Sequence, residues 1–188
     1  MKARQNPFRV ERVLQVRYQP QDDDWVTLLA RLRSLHYRAA IVGPQGSGKT
    51  TLLDDVQPHL EQAGFDTVWL RLQQQQHRLD PEVLRPALAG ATRRTVILFD
   101  GADHLHRWHW WRFLRQSRDA GGLIITSHKS GLLPTWLHTR TSPQLLGSIL
   151  GQLLPAARLP TPATIESLYH RHHGNLRDAL RELYDRAV

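Results

Sequence analysis

The chain has 188 residues, 40% of them apolar, no cysteine and a formal net charge of +8. The apolar content is enough for a packed core and excludes wholesale disorder, and the lack of cysteine excludes disulfides, thiolate catalysis and Cys-based zinc sites. The charge is carried almost wholly by arginine, with lysine only at Lys2, Lys49 and Lys129, a usage that a GC-rich genome also produces, so a nucleic-acid partner is weakly supported by charge alone.

Residues 1–20 are basic, contain Pro7 and Pro20, and read as an N-terminal arm without the apolar stretch of a secretory signal. No apolar run approaches the ~20 residues of a membrane span, so no membrane association is expected and a cytoplasmic location is the default. Asp22, Asp23 and Asp24 suit the N-cap and first turn of a helix that carries Trp25, Leu28, Leu29, Leu32 and Leu35 at helical spacing. Alternation follows. Strands are expected at Ala39–Val42, Phe65–Leu72, Val96–Phe99, Leu123–Ile125 and Trp136–Arg140. Helices are expected at Lys49–Ala63, bent near Pro58, at Pro81–Ala89 after Asp80, and at Leu105–Ser117. The short tract Gln73–Gln76 reads as a loop. From Ser142 onward only helices are expected, at about 143–154, 162–172 and 175–187, separated by Pro155, Pro160 and Pro162 and then by Gly174. The domains are thus a 1–20 arm, a three-layer α/β domain over 21–141 with a parallel sheet, and a small lid-like helical segment over 142–188.

Gly43-Pro44-Gln45-Gly46-Ser47-Gly48-Lys49-Thr50 matches G-x-x-x-x-G-K-[ST] at each fixed position, after a strand and opening a helix. Glycines let the backbone curl so that several N–H groups face one phosphate, and the helix N-terminus adds partial positive charge. Lys49 is expected to reach the β- and γ-phosphates, the Thr50 hydroxyl to ligate Mg²⁺, and Thr51 to cap the turn or touch the α-phosphate. The second acidic element is Thr95-Val96-Ile97-Leu98-Phe99-Asp100, an apolar strand ending in a carboxylate that would hold Mg²⁺ from the C-terminal edge of the sheet.

The pair resembles the Walker A and Walker B elements of P-loop NTPases of the additional-strand class, such as AAA+ ATPases and the STAND-type signal-transduction ATPases. The resemblance implies a strand order 5-1-4-3-2, with Leu123–Ile125 inserted between the phosphate-loop and Walker B strands. It implies ATP and Mg²⁺ as ligands and ATP hydrolysis as the activity of a nucleotide-driven switch or assembly module. It places a γ-phosphate sensor at Thr126 or Ser127. The position after the metal-binding Asp, a water-orienting Glu in most AAA+ proteins, is Gly101 here, and Asp103 in Asp100-Gly101-Ala102-Asp103 follows the Asp-Gly-x-Asp pattern of STAND proteins. Asp103 is either the base that orients water or the cap of the helix near Leu105. His173-Gly174-Asn175-Leu176-Arg177 resembles the sensor-2 turn of AAA+ lids, with Arg177 toward phosphate; the alternative is an arginine exposed on an amphipathic helix.

Two stretches stand outside this scheme. Arg107-Trp108-His109-Trp110-Trp111-Arg112-Phe113-Leu114-Arg115 reads as a helix burying Leu105, Trp108, Trp111 and Leu114 on the sheet, as an interface for a protein partner or a second copy, or as a stacking surface for single-stranded nucleic acid. The histidines at 104, 106 and 109 and at 170, 172 and 173 lack the His-Glu-x-x-His spacing of zinc peptidases. The rival functions are a small P-loop kinase and a nucleotide-gated adaptor with little hydrolysis; a GTPase is disfavoured because no Asn-Lys-x-Asp motif occurs.

Overall fold

The computed structural model describes residues 6–8, 10–13, 16–18, 24–73 and 75–187. They form two compact units. The first takes in the described residues of 24–43 and 49–138 and contains the sheet; the second takes in the described residues of 6–18, 44–48 and 139–187. The boundary expected after residue 141 therefore falls between His138 and Thr139, and the middle of the glycine-rich loop groups with the helical unit.

In chain order the elements are α1 (Val10–Val13), α2 (Trp25–Ser34), β1 (Arg38–Val42), α3 (Lys49–Gln62), β2 (Asp66–Arg71), α4 (Pro81–Ala89), β3 (Thr95–Asp100), α5 (Arg107–Gln116), β4 (Gly122–Ser127), β5 (Thr135–His138), α6 (Pro143–Leu153), α7 (Pro162–Arg171) and α8 (Leu176–Ala187). The fold class is α/β. All five strands are parallel, in the order β2-β3-β4-β1-β5, which from the other edge reads 5-1-4-3-2. Strand β4 lies between β1 and β3.

The sequence explains the layering. Strands β1, β3 and β4 are nearly continuous apolar runs, as strands covered on both faces must be, and all six residues of β4 are buried. Edge strand β2 is only half-covered. Helix α2 is capped by Asp24, whose carboxylate accepts from the Thr27 amide at 2.7 Å; the other two candidate caps, Asp22 and Asp23, lie outside the described residues. Leu28 and Leu32 face inward, and the buried Trp136 of β5 donates its Nε1–H to the Leu28 carbonyl at 2.8 Å, so its polar tip is satisfied. Pro58 lies within α3.

Four expectations change. The strand expected to reach Arg140 ends at His138, because its partner β1 ends at Val42, the residue paired with His138; the Thr139 hydroxyl beyond it pairs with Ser47 at 2.6 Å. The helix expected from Leu105 begins at Arg107, preceded by a 3₁₀ turn over Ala102–His104. The aromatic register also differs. Trp110 and Phe113 are buried, the latter edge-to-face on Phe99 with centroids 5.2 Å apart, whereas Trp108 and Trp111 are 73% and 67% exposed. The inward stripe is thus Trp110, Phe113 and Leu114; Leu105 is buried but precedes the helix, so helical spacing counted from it falls on the wrong face. Finally, the described part of the N-terminal arm is packed: Phe8 joins the core of α6, α7 and α8, and the Asn6 amide donates to the Tyr184 carbonyl at 2.9 Å.

In the helical unit, α6 and α7 are capped by Ser142 and Thr161, whose hydroxyls accept from the Leu145 and Thr164 amides, and each cap is followed by proline as the first helical residue. Among the described residues no helix is long and apolar enough to cross a membrane.

Candidate functional site at the carboxyl edge of the sheet

Because the strands are parallel, Val42, Asp100 and Ser127 end at one edge, and the crevice outside such an edge is where open α/β sheets hold ligands. Three side chains meet there. The Thr50 hydroxyl, in the first turn of α3, donates to Asp100 Oδ2 at 3.0 Å. The Thr126 hydroxyl, near the end of β4, donates to Asp100 Oδ1 at 2.6 Å and accepts from the Gly101 amide at 2.8 Å. Both carboxylate oxygens of Asp100 are therefore aimed by neighbouring strand and helix ends. Lys49 Nζ donates to the Gly43 carbonyl at 2.8 Å, which holds the ammonium over the start of the loop. Thr51 is half-buried in the same first turn.

Of the two candidate sensors, Thr126 is the one bonded to Asp100. The Ser127 hydroxyl donates instead to the Lys129 carbonyl at 2.6 Å and accepts from its amide, closing the turn after β4. Ser127 is thus a turn residue in this structure, and of the two only Thr126 bonds to Asp100.

Gly101 has φ +83°, and a Cβ there would stand 2.5 Å from the Leu72 carbonyl oxygen. A side chain after Asp100 is excluded by backbone contact as well as by handedness, which explains why no Glu occupies this position. The left-handed turn at Gly101 instead starts the 3₁₀ turn that carries Asp103. Asp103 does not cap α5; the residue at that cap is His106, with no side-chain bond. Asp103 Oδ2 accepts from the His128 amide at 2.9 Å and from His128 Nδ1 at 2.8 Å, while Oδ1 is buried with no hydrogen-bond partner among the described residues. Burial pushes the Asp103 carboxyl up, but the two hydrogen bonds from His128 and the charges of His128 and His104 outweigh it and hold the group below the usual carboxylate range.

Asp54, one helical turn after Thr50, is an acid that motif reading passed over. Its carboxyl is raised by burial; Arg71, 3.4 Å away, opposes this, and the charges of Asp100 and Asp55 add to the rise. Arg71 ends β2 directly across from Asp100 and stacks over Trp69. Helical spacing from Thr50 and the strand-terminal place of Arg71 were the available signals.

In the helical unit, the loop residues Pro44–Gly48 pack on the C-terminal segment. Pro44 and Gln45 are exposed, while the buried Ser47 hydroxyl donates to the Pro44 carbonyl at 2.7 Å and pairs with Thr139. Gly46 and Gly48 have φ +71° and +85°. A Cβ on Gly46 would fall 1.8 Å from Asn175 Oδ1, and one on Gly48 would touch the Tyr18 ring at 3.5 Å. Asn175 also opens α8, its Nδ2 donating to Asp178 Oδ2 at 2.6 Å. Asn175 and Tyr18 are loop neighbours that the motif alone does not assign. Arg177 is exposed, and no hydrogen bond or ion pair engages it among the described residues.

These elements define an α/β protein with a five-stranded parallel sheet and a hydroxyl–carboxylate pair at its carboxyl edge. No protein-family model matches the sequence, and no curated protein does.

Proposed function

We propose that this chain is a Mg²⁺-dependent P-loop ATPase, resembling AAA+ and STAND proteins, that works as a nucleotide-driven switch or assembly module. The observation that carries the reading is the 3.0 Å bond between Thr50 Oγ1 and Asp100 Oδ2. These are the two oxygen donors that a phosphate-bound hard cation would share, and they fit Mg²⁺ by type, both being oxygens. Bound Mg²⁺ would supply charge neutralisation at the phosphate oxygens. The Gly46–Gly48 backbone and Lys49 hold the triphosphate, Lys49 exchanging the Gly43 carbonyl for phosphate oxygen. Thr126 fixes the Asp100 carboxylate from β4. Asp103, by its place in the Asp-Gly-x-Asp pattern, is the group assigned to take a proton from water as water attacks the γ-phosphorus and the bond to ADP breaks. By resemblance, Arg177 is the residue assigned to phosphate sensing.

A second reading, an adaptor that binds ATP but hydrolyses little, is favoured by Trp108 and Trp111, two large exposed aromatics on α5 flanked by Arg107, Arg112 and Arg115. Such a face fits a protein partner or a second copy. ATP titration into wild type and into Lys49→Ala and Asp100→Asn, with Mg²⁺ and with chelator, tests the main reading. Affinity should fall at least about tenfold in Lys49→Ala, a loss of about 1.4 kcal/mol. Wild-type affinity in that variant overturns the reading. Asp103→Ala separates the two functions: in a hydrolase it abolishes turnover and keeps ATP affinity.

A further inference from the structure

We propose that Asp103, His104 and His128 form a binding site for a transition-metal ion of the Zn²⁺ class, distinct from the Thr50–Asp100 pair. The topology assembles it. Strands β3 and β4 are neighbours, so the 3₁₀ turn after β3, carrying Asp103 and His104, meets the first residue after β4, His128. One donor atom from each of the three residues lies within 4.8 Å of the others. The His104 and His128 rings stand 5.7 Å apart, and His128 Nδ1 already contacts Asp103 Oδ2 at 2.8 Å.

Three donors around one ion at 2.0–2.2 Å stand about 3.4 Å from one another, so a turn of the His104 and His128 rings closes the set. Both rings reach the surface, and His128 is 36% exposed, so that turn moves no core residue. Asp103 Oδ2 faces His128, and among the described residues the carboxylate has no hydrogen-bond donor other than His128 to displace. Two imidazoles and one carboxylate select zinc and its first-row neighbours, whereas Mg²⁺ prefers oxygen donors and several waters. Three protein donors leave a coordination position for solvent.

A second consequence rests on the ATPase reading above: metal on Asp103 removes the lone pairs that the water needs, so Zn²⁺ lowers turnover without displacing ATP. The site itself is independent of that reading and is tested without nucleotide. The full chain is titrated with Zn²⁺ in competition with a chromophoric chelator, and with Co²⁺ while its visible absorption is followed. Wild type is compared with His104→Gln, His128→Gln and Asp103→Asn, and with His170→Gln as a control in the other histidine cluster; thermal melts check that each variant folds. The expected result is one equivalent bound, with affinity reduced at least about tenfold in each of the three site variants and unchanged in His170→Gln. Absence of stoichiometric binding at micromolar protein, or wild-type affinity in both His104→Gln and His128→Gln, overturns the proposal. Zinc binding without ATPase activity would leave this site standing and remove only its inhibitory consequence.

Discussion

Replacing Thr126 by valine removes a hydroxyl and keeps the volume, so it isolates the hydrogen bonds that aim Asp100. Thr126 is 1% exposed, and its hydroxyl makes two bonds, to Asp100 Oδ1 at 2.6 Å and from the Gly101 amide at 2.8 Å. A bond to a carboxylate is worth about 1.5–3 kcal/mol, and a buried N–H left without an acceptor costs about 1–3 kcal/mol. Asp100 keeps its Thr50 donor and the two losses share one neighbourhood, so the sum is not additive; about 2–4 kcal/mol is expected. For a chain of this size that lowers the Tm by about 5–15 °C. Thermal and urea unfolding of the sheet-containing unit would read it, with Thr126→Ser, which keeps the hydroxyl, as the matched control losing about 1 kcal/mol for its methyl. A Thr126→Val protein within about 0.5 kcal/mol of wild type would refute the view that this hydroxyl organises the strand ends.

Three further outcomes follow from the same geometry. Trp110→Ala should cost about 3–5 kcal/mol in urea unfolding, whereas Trp108→Ala and Trp111→Ala, at exposed positions, should stay within about 0.5 kcal/mol. Gly101→Ala should lose at least about 1–2 kcal/mol from its left-handed conformation, and more from the 2.5 Å approach to the Leu72 carbonyl, read as a lower urea midpoint. Glu182 accepts from His172 and pairs with Arg171 and Arg186, and these partners, His172 foremost, hold its carboxyl below the usual range. Its stabilisation is therefore present above about pH 4.5 and lost as pH falls through the folded value; acid titration of Glu182→Gln should show a shallower loss of helicity than wild type.

The sequence carried the parallel α/β alternation because the buried strand centres 96–99 and 123–125 are apolar without interruption, and because glycines at 101 and at 121–122 mark strand ends. Asp100 and Thr50 were legible from motif spacing alone, and their contact follows from β3 ending near the start of α3. What motif reading could not supply were relations fixed by tertiary packing. The choice between Thr126 and Ser127 depends on which face of β4 looks toward Asp100, and adjacent strand residues differ only in that. The partnership of Asp103 with His128 joins residues 25 apart along the chain through the β3–β4 pairing. The inward face of α5 was misread because Leu105, buried but placed between the 3₁₀ turn at Ala102–His104 and the helix, is not helical, so i, i+3, i+4 counting from it selects the wrong stripe.

Mg²⁺-dependent ATP hydrolysis at the phosphate loop is the activity proposed for this chain. Phosphate release from ATP and Mg²⁺, compared between wild type and Lys49→Ala across a range of protein concentrations, tests it most directly. Turnover is expected in wild type and should vanish in Lys49→Ala, and turnover per chain should rise with concentration if a residue is supplied by a neighbouring copy. Equal phosphate release from wild type and Lys49→Ala would contradict it.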